Sequence, residues 1–308
     1  MKNTAIQTAV SKYLEQHPMI MIVIGIFGIS LSAIFVKYSQ APSVVTAAYR
    51  LLWTILLMSP VVLLKRDSRQ ELFKLFATDR RTVILCAVSG IFLALHFILW
   101  FESLKHTSVA SSTTIVCTEV IWVALGFCLF LKGKLSGRSL LAIAITLAGS
   151  MLIAWSDSSS GGNHLYGDIL SLLAAIAVAV YTLIGRIARS TASTTIYTYL
   201  VYLTSAVTLV IITFTQGYTL TGYGASGIIV GLLLAIFSTI LGHSIFSWCL
   251  KFLSPAFVSA SKLCEPVVAA IFAVFLFQEI PGIMQIVGGA VILGGVIYYS
   301  RIESGKYN

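Results

Sequence analysis

The chain has 308 residues, of which 58% are hydrophobic and only 10% charged, and its mean hydropathy is +0.95. A soluble domain carries about 25% charged residues, so this composition excludes one and points to a chain that crosses a membrane many times. The formal net charge of +9 does not indicate nucleic acid, because the basic residues sit in short connectors between apolar runs.

Residues 1–18 read as a cytoplasmic segment. They hold Lys2, Lys12 and Glu15 and lack an early apolar core, so no signal peptide is expected, and residues 5–17 fit a short interfacial helix. Ten apolar runs follow, at 19–38, 44–64, 82–101, 109–131, 139–156, 166–185, 194–215, 226–250, 256–277 and 282–300. Each is near the ~20 residues that a bilayer core requires of a helix. Pro18, Pro42, Pro255 and Pro281 stand before or at the start of a run, where a missing backbone donor does no harm. The longest connector, 65–81, is charged and too short for a soluble domain.

Charge sets the expected orientation. Counting connectors alternately from the N-terminus gathers the basic residues on one side: Lys65, Arg66, Arg69, Lys74, Arg80 and Arg81, then Lys132, Lys134 and Arg138, then Arg186, Arg189, Lys251, Arg301 and Lys306. The other side has Lys105, with Lys37 at the lip of the first run. The positive-inside rule then places both termini in the cytoplasm after ten crossings.

The ninth run (PAFVSASKLCEPVVAAIFAVFLF, 255–277) carries Lys262, Glu265 and Pro266 at its middle. A charge at mid-membrane depth costs roughly 2.5–3.5 kcal/mol on insertion scales and is usually placed against a cavity or a partner. Pro266 cannot donate to the carbonyl of Lys262, so the backbone breaks there. The fourth run echoes the ninth. Adding 146 (265 minus 119) to residue numbers puts Lys105 on Lys251, Ser108 on Ser254, Ala110 on Ala256 and Glu119 on Glu265. Residues 131–153 also resemble 277–298, one position out of that register, with Gly137 opposite Gly282 and Gly149 opposite Gly294. Ten spans with such a repeat give five per half, and an odd number forces the second half to enter from the opposite side. The expected fold is therefore all-α and membrane-integral, with ten transmembrane helices as two inverted five-helix repeats, 19–156 and 166–300, and a cytoplasmic tail at 301–308.

These features resemble the drug/metabolite transporter superfamily, in its ten-span form with two EamA-like halves. The resemblance rests on the doubled five-helix unit, on Arg50 early in the second span (AAYRLLW), and on the ninth and tenth spans with Pro266, Glu279 and a glycine-rich last helix. It implies export of amino acids or other small metabolites from bacteria. The first half departs from the pattern, with Val120 in place of the mid-helix proline and Lys134 in place of the glutamate, so the ninth span should be the more kinked.

Seven residues are candidates for the site. Glu119 and Glu265 read as substrate ligands or proton carriers, or as carboxylates paired to a neighbouring helix. Lys262, three residues before Glu265 on one helix face, binds an anionic group, gates Glu265, or serves as an internal ion pair. His96 and His243 are relay or ligand histidines, or are capped by backbone carbonyls. Arg50 clamps an anion or snorkels to the interface. Trp122, a turn after Glu119, offers an aromatic wall for an ammonium group. The stripe Gly288, Gly289, Ala290, Gly294 and Gly295, with Ala144, Ala148 and Gly149, predicts close packing of the fifth and tenth spans or a dimer face. Cys86, Cys117, Cys128, Cys249 and Cys264 lie in apolar runs without CxxC spacing and read as small buried hydrophobes.

No nucleotide-binding loop, Ser/His/Asp arrangement or zinc motif occurs, so neither a cofactor nor a metal is expected and the chain is not expected to be an enzyme. The reading is a secondary transporter, an exporter of a small polar, amino-acid-like metabolite across the bacterial inner membrane. A proton-coupled transporter of organic cations or drugs is the alternative, and a membrane-embedded sensor or enzyme the alternative of another class. Expected partners are the lipid bilayer, the solute and protons, with no nucleic acid, in a monomer or homodimer.

Overall fold

The computed structural model describes residues 13–107, 109–157, 165–277 and 282–304, and every regular element among them is a helix. Helix α1 (Pro18–Lys37) starts on a proline and bends at Leu31, between its Pro18–Ser30 and Ser32–Lys37 parts. Helix α2 is Ser43–Leu64, entered through Pro42. A short polar helix, α3 (Arg66–Thr78), joins it to α4 (Arg80–His106). Helices α5 (Val109–Cys117) and α6 (Glu119–Leu129) are two parts of one run, followed by α7 (Gly137–Asp157). Then come α8 (Leu165–Ala188), α9 (Thr194–Thr215) and α10 (Gly224–Cys249). The ninth apolar run is split into α11 (Pro255–Lys262) and α12 (Glu265–Phe277), and α13 (Ile283–Ser304) ends the described chain.

Side chains cap several starts. Asp79 accepts from Thr82 N at 3.0 Å at the head of α4, and Ser193 and Ser254 accept from Ile196 N and Phe257 N at the heads of α9 and α11. Of the interfacial helix expected over 5–17, only residues 13–17 are described, and 13–16 are helical. Glu279 and Pro281 lie outside the described residues.

Among the described residues, eight helices are long and apolar enough to cross a membrane: α1, α2, α4, the α5–α6 run over Ser112–Leu129, α8, α9, α10 and α13 over Ile286–Glu303. Length and composition thus give eight candidate spans among the described residues, against the ten expected. The ninth run accounts for one of the two missing. In the ninth run the break at Lys262–Glu265 leaves pieces of 8 and 13 residues, each below the ~20 needed. Helix α7 itself runs 21 residues, Gly137–Asp157, and Gly137–Leu152 is the stretch of it over which the described residues are continuous and apolar.

Packing interleaves the two halves of the sequence. One apolar cluster joins α2 and α4 to α8 and α9 through Leu51, Leu93, Phe97, Val178, Tyr197 and Leu209. A second joins α1, α6 and α7 to α10, α11 and α13 through Ile26, Val120, Ala142, Phe246, Phe257 and Tyr299. Helix α4 lies along α8, as α10 lies along α1; α4 meets α9, as α10 meets α2; α2 meets α9, and α7 lies along α13. The α7–α13 seam is close because glycines line it. A Cβ on Gly149 would stand 2.8 Å from Gly288 O, and one on Gly295 would stand 2.4 Å from Thr146 Oγ1. Outward faces carry exposed Leu56, Leu129, Phe130, Trp155 and Phe275, as lipid-facing helices do.

Candidate functional site

Two helix breaks build the site. In the ninth run Pro266 has no N–H to continue the ladder, and Leu263 N and Cys264 N bond three residues back, to Ala260 O and Ser261 O, at 3.1 and 3.2 Å. Helix α11 ends on Lys262 and α12 begins on Glu265, so the ammonium meets a helix C-terminus and the carboxylate a helix N-terminus, the favourable end for each. The fourth run breaks too, although Val120 stands where the proline would be. There Thr118 supplies the interruption: its N and its Oγ1 both donate to Ile115 O, at 3.0 and 2.6 Å. Glu119 then opens α6 as Glu265 opens α12. The ninth span is expected to be the more kinked; the fourth is interrupted as well, because a hydroxyl bonding back to the ladder does the work of the missing proline.

Helix α10 contributes a third irregularity, a π-helical stretch over Leu234–Ser244. Its wide turn shows in two hydroxyls that bond five residues back: Thr239 Oγ1 to Leu234 O at 3.1 Å and Ser244 Oγ to Thr239 O at 3.2 Å. Such stretches are uncommon and concentrate at functional sites.

These irregular segments face one cavity, about 520 Å³ of empty space, part of it open to solvent. Its wall takes Ile29 and Ser32 from α1, Arg50 from α2, His96 and Trp100 from α4, and Thr113, Val116, Cys117 and Glu119 from α5–α6. Val178, Ser238, His243, Lys262 and Glu265 complete it from α8, α10 and α11–α12. Six of the seven candidate residues therefore share one wall: Glu119, Glu265, Lys262, His96, His243 and Arg50. Trp122 is not among the lining residues, and its indole Nε1 is buried without a hydrogen-bond partner among the described residues.

The charges are arranged asymmetrically. Lys262 Nζ donates to Glu119 Oε1 at 2.8 Å, and both residues are buried, at 8% and 3% exposure. The Lys262 ammonium also lies 5.5 Å from the ring centre of Phe246. Lys262 thus bonds across the sequence to the other glutamate, since the helix break parts it from Glu265. Glu265 is half-buried, forms no ion pair or hydrogen bond among the described residues, and lies within electrostatic reach of Lys262, Glu119 and Arg50. Arg50 is fully buried. Its Nε donates to Thr239 Oγ1 at 2.7 Å, its Nη1 to Ser32 Oγ at 3.4 Å, and its guanidinium carbon sits 4.0 Å above the Phe97 ring centre. Its Nη2 has no partner among the described residues.

Arg50 Nη2 is one of several such groups here. Trp100 Nε1, Thr113 Oγ1 and Ser238 Oγ are also buried without a partner among the described residues, and all three residues line the cavity. An unmet buried polar group costs about 1–3 kcal/mol, so four on one wall leave hydrogen-bonding capacity that water or a polar solute in the cavity can satisfy. His96 is held by Nδ1 bonding to Ala174 O at 3.0 Å and stacks on Trp100, with ring centres 6.0 Å apart at 15°. That bond makes Nδ1 the protonated nitrogen of the neutral ring and leaves Nε2 as an acceptor. His243 stands 6.3 Å from His96 and edge-on to Phe97 at 5.3 Å. Below the histidines, Tyr181 OH meets Ser247 Oγ at 2.8 Å and Tyr202 OH meets Ser244 Oγ at 3.0 Å.

Sequence reasoning did not single out Ser32, Trp100, Thr113, Ser238 or Thr239. The available signal was hydroxyls inside apolar runs, SSTT at 111–114 and STILGHS at 238–244. Alone it does not separate a cavity wall from a hydroxyl bonded back to its own helix.

The sequence profile of the EamA-like transporter family matches the chain twice, over residues 17–155 and 165–301. An uncharacterized transporter of Clostridium kluyveri is 21% identical over 291 residues, covering 90% of this chain and 93% of that protein. The uncharacterized transporter YxxF of Bacillus subtilis is 25% identical over 232 residues, covering 75% and 74%. One from Archaeoglobus fulgidus is 22% identical over 247 residues, covering 79% and 84%. A solved crystal structure of a protein superposes with a TM-score of 0.76 over 95% of this chain and 99% of its own, at 14% identity, a likeness of fold alone.

Proposed function

Because the chain belongs to the EamA-like transporter family, we propose that it is a secondary transporter that exports a small zwitterionic, amino-acid-like metabolite across the bacterial inner membrane, binding it in the charged cavity. One observation carries the reading. Of the two cations and two carboxylates on the wall, Lys262 and Glu119 neutralise each other, while Arg50 and Glu265 are left without a charged partner at contact distance among the described residues. A solute bearing one carboxylate and one ammonium meets both: the carboxylate at the Arg50 guanidinium, the ammonium at Glu265. Trp100 Nε1, Thr113 and Ser238 add donors around it.

Alternating access needs two bundles that exchange roles. The double family match and the helix pairings that persist when the halves are swapped support two five-helix units, and the basic residues of alternate connectors support ten crossings with both termini cytoplasmic. On this reading α11–α12 is a discontinuous span, as helices at transporter sites are. Glu265 is the group through which protons couple to transport. The organic-cation reading loses ground, because it rested on Trp122 beside Glu119, and the buried cation of Arg50 opposes a guest that carries positive charge alone.

The test is counterflow in proteoliposomes with neutral amino acids and with their decarboxylated and deaminated analogues. Both analogues should compete at least tenfold more weakly than the zwitterion, Arg50→Gln should abolish the preference for a carboxylate, and Glu265→Gln should remove the preference for an ammonium together with the pH dependence. Unchanged transport and unchanged pH dependence in Glu265→Gln would rule its role out.

A further inference from the structure

The polar helix α3 (Arg66–Thr78) has no place in the transport site and cannot cross a bilayer. Its 13 residues extend about 20 Å, short of the ~30 Å hydrocarbon core, and five of them are charged. Its two long faces differ. Leu72 and Leu75 turn into the apolar cluster of α2, α4, α8 and α9, so the helix lies across the end of the bundle where α2 stops and α4 starts. Arg66, Arg69, Phe73 and Phe76 follow one another at i, i+3, i+7 and i+10 and therefore form a single stripe. All four are exposed, Phe73 at 68% and Phe76 at 50%.

We infer that this stripe is a docking surface for anionic phospholipid headgroups of the bilayer that holds the protein. Two large apolar rings flanked by arginines on one face are the composition of a helix lying in the interface, rings toward the acyl boundary and cations among the phosphates. Charge complementarity selects anionic lipid over neutral lipid, because the nearby acids are committed elsewhere. Glu71 Oε1 accepts from Ser193 N at 2.7 Å at the head of α9, and Asp79 caps α4 through Thr82. Asp67 remains, against Lys65, Arg66 and Arg69 beside it. Guanidinium groups also pair with phosphate through two parallel hydrogen bonds, which gives Arg66 and Arg69 geometric as well as electrostatic selectivity.

The test is independent of the transported solute. Full-length protein in detergent is mixed with equal amounts of phosphatidylglycerol and phosphatidylethanolamine, and retained lipid is counted by native mass spectrometry. Wild-type protein should retain phosphatidylglycerol preferentially. Arg66→Gln/Arg69→Gln should lose roughly tenfold or more of that preference, since each cation near an anionic surface contributes about fivefold. Phe73→Ser/Phe76→Ser should weaken retention of either lipid, and Arg66→Lys/Arg69→Lys should keep most of the charge preference, which separates lost binding from lost folding. Equal retention of the two lipids by the wild type, or an unchanged preference in the glutamine variant, would overturn the assignment.

Discussion

Glu119→Leu should destabilise the protein far more than loss of an exposed charge would. The Lys262 ammonium sits 2.8 Å from the Glu119 carboxylate, with side-chain exposures of 10% and 4%. Without that carboxylate the ammonium keeps only the Phe246 ring, 5.5 Å away, as a close partner among the described residues. A cation–π contact gives back about 0.5–2 kcal/mol, whereas breaking a buried ion pair by removing one member costs about 3–5 kcal/mol. Removing both charges, as in Glu119→Leu/Lys262→Met, leaves no buried ion and is often nearly neutral. Lys262→Met likewise leaves the Glu119 carboxylate buried alone, so the cycle should return a coupling of at least about 3 kcal/mol. Hydrogen bonds between membrane helices average about 0.6 kcal/mol by the same method and reach about 1.7, so a value above about 2 distinguishes an ion pair from an ordinary polar contact. The assay is reversible unfolding of the four proteins in mixed micelles with a denaturing detergent. A coupling at or below about 0.6 kcal/mol would refute the reasoning, and with it the claim that Arg50 and Glu265 are the pair left for a solute.

Arg50→Lys keeps the charge but loses the planar contact over Phe97 and the forked bonds to Thr239 and Ser32, so solute uptake should fall about tenfold or more in folded protein; wild-type uptake would contradict the anion role. Gly149→Ala places a Cβ 2.8 Å from Gly288 O and 2.9 Å from Ile292 N, backbone atoms that cannot step aside, so α7 and α13 must separate. Stability should drop by about 1–3 kcal/mol with the solute KM unchanged, and undiminished stability in the same unfolding assay would contradict the close seam. At the head of α4, hydrogen bonds from the Thr82 hydroxyl and N–H hold the Asp79 carboxyl below its ordinary value of 3.8. That contribution is complete above the ordinary value and is lost as pH falls through the lowered one. Asp79→Ala should flatten the acid limb of the melting curve below about pH 4, and an unchanged limb would show that the cap does not contribute.

Much of this molecule could be read from its residues. Long apolar runs announce membrane helices because a helix satisfies all of its own backbone groups in lipid. Charges inside those runs announce a cavity, and Glu119, Lys262, Glu265 and Arg50 all face one. Tertiary choices were not legible. The sequence places Lys262 one turn from Glu265, yet the break between α11 and α12 sends it to Glu119, a partner visible only once helices pack. The break after Thr118 was hidden because its cause is a side-chain hydroxyl and not a proline. The π-helical turn that presents Ser238 and His243 has no compositional mark. Trp122 was chosen by spacing from Glu119 on an unbroken helix, but Glu119 is the first residue of α6, and the cavity wall runs back from it along α5 through Cys117, Val116 and Thr113.

The central claim is that Arg50 and Glu265 hold the two ends of a zwitterion, and a structure determined with the transported solute bound tests it most directly. The solute carboxylate should lie at the Arg50 guanidinium and its ammonium at Glu265, with the Lys262–Glu119 pair intact beside it. A solute bound away from this cavity, or one that reaches neither group, would contradict the account.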